Sequence, residues 1–305
     1  MNRRRFAQGL ATAALGAVAA PRIGAVEQDG SPRQPAPFPL SVMLWTVFRD
    51  LPFEERLTKV AEAGYANVEL VGEYAQWPAA DFDRANAARK RLGISFDATA
   101  GLKHGLADPA QSDAFLAELK QALVPMQTLA CPAMIVLSGN AVPGLSRAVQ
   151  HASCVEGLKR AAEIVEGKQI DGQQVRLLLE CIDPEENPHY FLPSAAEAIE
   201  IVREVDHPQV QFLYDLYHEQ IAEGNLIEKL EKHIDAIGLI HVADVPGRHA
   251  PGTGEINYAN IYRKLAELQY RHAVAMEFLP MGDVVTALRK AKDEVGIACA
   301  RQRVI

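Results

Sequence analysis

Short apolar runs alternate with longer amphipathic segments from Leu40 almost to the end of the chain. Each run spans six to nine residues and is apolar almost throughout, as expected for a strand that is buried on both faces. The longer segments repeat apolar residues at helical spacing. The pattern predicts eight strands, at 40–46, 66–71, 94–100, 133–138, 175–182, 210–215, 236–244 and 272–279.

A helix is predicted after each of these strands, and the alternation of the two elements fixes the fold class. The first two helices have glycine stop signals at Gly64 and Gly93. Eight strand–helix units of this length predict an α/β protein with a closed (β/α)₈ TIM barrel over residues 40–305. An open doubly wound sheet is the alternative, but no Gly-rich phosphate-binding turn follows the first strand. The helices are predicted at 53–64, 81–93, 111–124, 147–166, 194–205, 219–233, 259–269 and 283–295.

The N-terminal segment has a different character. Arg3, Arg4, Arg5 and Phe6 precede a run of small and apolar residues, which predicts a twin-arginine-type signal peptide over residues 1–25 and a periplasmic mature protein. The alternative is the basic start of an amphipathic helix in a cytosolic protein. Residues 26–39 are polar and Pro-rich and are predicted to be a linker.

Composition narrows the range of functions. The chain has 305 residues, is 49% hydrophobic and carries a formal net charge of -8. This balance supports a large core and argues against a protein that binds the nucleic acid backbone. We expect no nucleic acid partner and no membrane association of the mature form, while homo-oligomerisation is left open. The four cysteines show no CxxC spacing and are predicted to be small buried residues, although a pair could form a disulfide in an oxidising compartment.

Candidate chemistry lies at the ends of the last four strands. Glu180, Asp215, His241 and Glu277 follow one another at intervals of 35, 26 and 36 residues, each about one strand–helix unit. In a closed barrel these ends meet at the face that carries the active site. Three converging carboxylates would repel one another, and a divalent cation removes that conflict. Three oxygens and one imidazole suit Mn²⁺, Mg²⁺, Co²⁺ or Zn²⁺. Any one of the acids alone could instead pair with a buried Arg or Lys.

The loop after the seventh strand contains "ADVPGRHAPGTGEINY". Gly252 and Gly254 are predicted to shape a tight turn through φ values that other residues avoid, and Asn257 is predicted to cap the next helix. Arg248 could pair with a substrate carboxylate in bidentate fashion or brace the loop. Glu255 is predicted to brace the loop or Arg248. Trp45 and Phe48 follow the first strand and either wall the pocket or belong to the core. Glu73, Trp77 and His104 lie on other loops of the same rim, and the sequence assigns them no role.

That loop, together with "LLLECID", "YDLYHEQIAEGNL" and "SVMLWTVFRDLPFEERLTKVAEAGYANVEL", resembles the hydroxypyruvate isomerase family of xylose isomerase-like barrels. The resemblance covers nearly all of residues 40–280. It implies a metal held by Glu180, Asp215, His241 and Glu277, with Glu180 and Glu277 also serving as the acid/base pair. It also implies that His218 and Arg248 contact substrate oxygens. His241 itself is more similar to the ketose 3-epimerases, since many hydroxypyruvate isomerases carry Gln there.

The reaction implied is a metal-dependent interconversion of a small hydroxy-aldehyde and a hydroxy-ketone through an enediolate. The substrate would be a hydroxy-keto acid or a small carbohydrate. Three other functions stay open. They are a ketose 3-epimerase or keto-sugar lyase with the same residues, a non-catalytic periplasmic sugar-binding protein, and an endonuclease of the same superfamily, which would need more strand-end histidines and a basic groove.

Overall fold

The structure is a computed structural model that describes residues 36–300. Within that range eight parallel strands close into a barrel, in which each strand pairs with its neighbours along the chain and the last pairs with the first. The predicted (β/α)₈ TIM barrel is therefore confirmed. Labelled β1 to β8, the strands are Leu40–Met43, Asn67–Val71, Ser95–Ala100, Ala133–Leu137, Arg176–Glu180, Val210–Asp215, Ile237–Val242 and Val274–Met276.

Helices cover the outside of the barrel and bury their apolar faces against it. Among the described residues, none of them is both long and apolar enough to cross a membrane. Labelled α1 to α9, they are Phe53–Glu62, Ala79–Leu92, Ser112–Leu129, Arg147–Val165, Ala195–Val205, Leu216–Ala222, Leu226–His233, Tyr258–Glu267 and Val284–Ala300.

Three helix predictions need correction. The helix predicted at 283–295 continues to Ala300, because Ala298 extends its buried face beyond Val295. The single helix predicted at 219–233 is two helices, α6 and α7, because Asn225 adopts a left-handed backbone (φ 54°) that an α-helix cannot contain. The helix predicted at 111–124 continues through Pro125 to Leu129. It continues because Met126 and Leu129 extend its apolar face and are fully buried.

A short hairpin between α4 and β5 was not predicted. Residues Gln169–Ile170 and Gln173–Gln174 pair antiparallel around Asp171 and Gly172, which both have positive φ. An Asp-Gly pair is the usual sequence for a two-residue hairpin turn. The flanking residues are too few and too polar for strand periodicity to reveal it.

The N-terminal predictions lie mostly outside the described residues. This holds for the signal peptide at 1–25 and for residues 26–35 of the linker, and the last five residues of the predicted barrel domain, 301–305, also lie outside. Phe38, within the predicted linker, is buried and packs edge-on against Tyr270 with ring centroids 6.4 Å apart. The packed barrel therefore begins slightly before β1.

The cysteines behave largely as small buried residues. Cys131, Cys154 and Cys181 are buried, Cys299 is half-buried, and each is a free thiol. The prediction of small buried residues is confirmed for the first three, and no pair of the four forms a disulfide.

The pleat of the strands determines which side chains enter the barrel. Alternate side chains of each strand point inward, and nine apolar ones form a separate interior cluster. Glu180, Asp215, His241 and Glu277 each stand two residues after a member of that cluster, so they also face the interior, at its C-terminal end. The cluster consists of Met43, Ala98, Ala133, Ile135, Leu178, Leu213, Leu239, Ala273 and Ala275.

Candidate active site

Four strand-end side chains meet at the C-terminal end of the barrel. Glu180 ends β5, Asp215 ends β6, His241 is the penultimate residue of β7, and Glu277 directly follows β8. One potential ligand atom of each lies within 4.8 Å of those of the other three. His241 Nδ1 is 2.8 Å from Glu277 Oε2 and 3.8 Å from Glu180 Oε1. The structure thus brings together the residues predicted from strand position, while their roles stay predictions.

The cluster concentrates negative charge away from water. Burial, with the charges of Glu277 and Asp215 added to it, raises the pKa of Glu180 to about 7. Burial alone would raise the pKa of Glu277 as well, but His241 and Arg248 hold it well below its usual range. Burial would lower the pKa of His241, but Glu277 and Glu69 raise it well above the ordinary value. The site therefore needs positive charge to keep its carboxylates ionised.

A divalent cation fits this donor set. The carboxylate oxygen Oδ2 of Asp215 is buried and has no hydrogen-bond partner within residues 36–300, which is costly for a charged atom unless a cation compensates it. Its other oxygen accepts hydrogen bonds from the backbone of Tyr217 and His218, which fixes the direction of Oδ2. Three carboxylates and an imidazole are ligands that Mn²⁺, Mg²⁺, Co²⁺ and Zn²⁺ accept.

Arg248 reaches this cluster from the loop after β7. Its Nη2 lies 2.7 Å from Glu277 Oε2 and 3.5 Å from Asp215 Oδ2, and its Nη1 lies 2.9 Å from Glu186 Oε2. The guanidinium carbon is 5.3 Å from the ring centroid of Trp45 and 5.1 Å from that of Tyr217. The planar cation is thus held by aromatic rings, by acids from two strand ends and by Glu186 of the loop after β5.

Asp244 organises the loop that carries Arg248. One of its oxygens accepts hydrogen bonds from the backbone N–H groups of Val245 and Ile256, and the other from those of Thr253 and Gly254. A Cβ on Gly254 would come within 2.0 Å of the Val245 carbonyl oxygen, so close approach requires glycine there.

The structure confirms some of the predicted details of this loop and corrects others. Gly252 has a positive φ of 76°, as expected, whereas Gly254 is needed for space and not for its φ. The Asn257 side chain accepts a hydrogen bond from the Asn260 N–H and caps α8, as predicted. Among the described residues, Glu255 forms no ion pair or hydrogen bond with Arg248, so the structure does not support the prediction that it braces Arg248. It accepts a hydrogen bond from the Gln220 side chain, 3.1 Å away.

His218 lies on α6, three residues after Asp215, and also faces the site. Its Nδ1 is 2.6 Å from Asp183 Oδ2, and its Nε2 is 3.3 Å from Arg248 Nη1. Burial would lower its pKa, but the charges of Asp215 and Asp183 outweigh burial and raise the pKa to about 9. Two cationic donors, His218 and Arg248, therefore stand side by side next to the four-residue cluster.

Sequence reasoning missed three residues of this site. Glu69, on β2, accepts a hydrogen bond from His241 Nε2 at 2.9 Å, and Glu186 pairs with Arg248. Asp183 holds the ring of His218. Glu69 carried a usable signal, because it is an acid within the apolar run "ANVELV", just as Glu180 is in "LLLECID". Nothing local marks Glu186, which lies in a polar loop.

The sequence allows Trp45 to line the pocket or to belong to the core, and in the structure it belongs to the site. Its indole N–H donates a hydrogen bond to Glu277 Oε1 at 2.6 Å, while its ring packs against the interior cluster. Phe48 is half-buried and packs against the outer core. The other rim candidates, Glu73, His104 and Trp77, are not members of the four-residue cluster.

A family model for xylose isomerase-like TIM barrels matches residues 57–296. The chain belongs to this family. The 2-oxo-tetronate isomerase of Pectobacterium atrosepticum is 29% identical over 241 residues, which are 77% of this chain and 90% of that protein. The hydroxypyruvate isomerase of Escherichia coli is 28% identical over 254 residues, which are 82% of this chain and 96% of that protein.

Among solved structures, an AP endonuclease family 2 protein from Brucella melitensis has a TM-score of 0.74 and 28% identity, and the match covers 82% of this chain and 97% of that one. The isomerases among the relatives confirm the prediction that this chain is an isomerase of the xylose isomerase-like barrel family.

Proposed function

We propose that the protein is a metal-dependent isomerase that interconverts a small hydroxy-ketone and hydroxy-aldehyde carrying a carboxylate. The observation that carries this proposal is the convergence of Glu180, Asp215, His241 and Glu277 beside two cationic donors, Arg248 and His218. The isomerases of P. atrosepticum and E. coli named above support a 2-keto or hydroxy acid as the substrate class.

The chain's own residues can perform the proton transfers that this reaction requires. One of Glu180 and Glu277 removes a proton from the hydroxyl-bearing carbon next to the carbonyl, and the C–H electrons form the double bond of an enediolate. The other returns a proton to the former carbonyl carbon. The proton of the starting hydroxyl passes to the former carbonyl oxygen, so that no atom is gained or lost. A divalent cation held by the four residues would supply Lewis acidity toward the substrate oxygens.

Arg248 and His218 would bind and orient the substrate. A guanidinium offers two parallel N–H donors that match a carboxylate, and the Trp45 and Tyr217 rings keep it in one plane. The like charges of Arg248 and His218, with Nη1 and Nε2 3.3 Å apart, favour an anionic group near both. This pairing supports an acid over a neutral sugar.

An endonuclease function, suggested by the name of the B. melitensis protein, has less support. The four-residue set contains one imidazole, and the chain carries a net charge of -8. Binding to the DNA backbone generally depends on a basic surface.

The test is a substrate panel with metal-reconstituted protein in D₂O, followed by NMR. Hydroxypyruvate and 2-oxo-tetronate represent the acids, and neutral ketoses represent the epimerase alternative. We expect deuterium to enter an acid at the carbon next to the carbonyl while ketone and aldehyde forms interconvert, and we expect chelator-treated protein to lose this activity. Deuterium entry with inversion at C3 of a neutral ketose would instead identify an epimerase. Lack of exchange with every compound would contradict an enzymatic function for the site.

A further inference from the structure

The imidazole of His241 is held on both of its nitrogens by carboxylates. Nδ1 faces the four-residue cluster, 2.8 Å from Glu277 Oε2, while Nε2 lies 2.9 Å from Glu69 Oε2 on the opposite edge of the ring. Glu69 is on β2, which is separated from β7 by β1 and β8 in the barrel order. Its side chain therefore reaches His241 across the barrel interior and not along a shared strand edge.

A glutamate at position 69 is unfavourable for the stability of the fold. Its side chain is fully buried, and its second oxygen, Oε1, has no hydrogen-bond partner among the described residues. A buried carboxylate that makes so few hydrogen bonds destabilises the fold. The contact that compensates it directly is the one with His241 Nε2.

We propose that Glu69 is a positioning residue that prepares His241 to bind the metal. By accepting a hydrogen bond from Nε2–H, it fixes the ring orientation and directs the lone pair of Nδ1 toward the cluster. A hydrogen-bonded partner on the far nitrogen of a ligating histidine commonly has this effect, and its loss typically weakens metal binding 10–100-fold. The inference rests on the proposed function only in assuming that the cluster binds a divalent cation.

A matched control lies on the neighbouring strand. Asp97, on β3, is also an acid with a buried oxygen that lacks a partner in the part of the chain that the structure describes, and its other oxygen accepts a hydrogen bond from Ser41 at 2.8 Å. It forms no hydrogen bond with His241 among those of the described residues. Asp97→Asn thus changes an interior acid that interacts with Glu69 through its charge, but it leaves the hydrogen bond between Glu69 and His241 in place.

The experiment is a titration of metal-free full-length protein with Co²⁺, followed by the visible absorption of the bound ion. Glu69→Ala should weaken Co²⁺ binding at least tenfold and alter the shape of the absorption bands. Glu69→Gln, whose amide oxygen can still accept from Nε2–H, should lose less affinity than Glu69→Ala. Asp97→Asn should keep the wild-type affinity and spectrum.

Folding is checked by circular dichroism and thermal unfolding. If Glu69→Ala does not fold, Glu69→Asp replaces it, because this variant keeps the charge but is one methylene too short to reach Nε2. Wild-type Co²⁺ affinity and spectrum in a folded Glu69→Ala or Glu69→Asp variant would overturn this inference and leave the proposed function intact. Failure of the wild-type protein to bind Co²⁺, Mn²⁺ or Zn²⁺ would overturn both the inference and the metal requirement.

Discussion

At the residue scale, the chemistry of the site depends on which cationic side chains compensate its buried carboxylates. Arg248 contacts Asp215 at the end of β6, Glu277 directly after β8 and Glu186 in the loop after β5, so its planar cation joins two strand ends and a loop. Lysine could keep the charge but could not make these contacts in one plane. The residue that neutralises the site is thus also the one best shaped to bind an acid.

Arg248→Lys should raise KM for an anionic substrate about tenfold or more, because one bidentate charge-assisted contact is lost. It should change kcat less and leave turnover of a neutral ketose almost unaltered. Steady-state kinetics with both substrate types measure this split, and Arg203→Lys, an exposed position on α5, is the control. An equal loss for both substrates would show that Arg248 maintains the site and does not select the acid.

Acids within apolar strands were the most informative single residues in the sequence. Glu180 and Asp215 could be predicted because burying a carboxylate is costly unless a partner compensates its charge, and because the barrel brings the strand ends together. Glu69 is also an acid in an apolar run, but it lies in the middle of β2 and not at its end, so the strand-end pattern does not point to it. Glu186 and Asp183 could not be found this way, since their positions depend on how the loop after β5 folds back over α6.

At the scale of elements, one carboxylate, that of Asp244, holds the conformation of the loop after β7. The two oxygens of Asp244 accept four backbone hydrogen bonds, which span the loop from Val245 to Ile256. The turn and its glycines were predictable from the sequence. The role of Asp244 could not be predicted, because its partners are backbone groups that carry no residue-type signal.

The break between α6 and α7 was not predicted, although Gly224 and Asn225 mark it. The apolar spacing continues across the break and therefore suggests one continuous helix.

Asp244→Asn should destabilise this loop and displace Arg248. An amide has one acceptor oxygen, so two backbone N–H groups lose their partner, at a cost of roughly 2–4 kcal/mol in the free energy of unfolding. Denaturant unfolding measures that loss, and KM should rise as well. Asp235→Asn is the matched control, because Asp235 is exposed and precedes β7 at the opposite end of the barrel. Unchanged stability and KM in Asp244→Asn would refute this account of the loop.

At the scale of the whole molecule, the strand and helix periodicities were sufficient to predict the barrel. Eight consecutive strand–helix units leave little alternative to closure, and closure in turn brings Glu180, Asp215, His241 and Glu277 together. Side-chain contacts across the interior, such as Glu69 with His241, depend on strand register and tilt and could not be predicted from periodicity alone. The export signal at residues 1–25 and the periplasmic location stay predictions.

The export prediction concerns the intact precursor. Replacing Arg3 and Arg4 with Lys should retain the protein in the cytoplasm, because a twin-arginine signal depends on that pair. Cell fractionation and the mass of the processed chain measure this outcome. The single variant Arg22→Lys, outside the pair, is the control and should be exported normally. Normal export of the double variant would rule out the twin-arginine route.

The most direct test of the central claim is deuterium wash-in with Glu180→Gln and Glu277→Gln. Each change keeps side-chain size and one ligand oxygen but removes the carboxylate that is proposed to move a proton. In both variants kcat on the substrate identified by the panel should fall at least 10²-fold, which is the usual effect of losing a positioned acid or base. Both variants should retain the bound metal. Glu204→Gln, an exposed residue of α5, should be unaffected. Near wild-type turnover and deuterium incorporation in both glutamine variants would contradict the proton transfer assigned to these two glutamates.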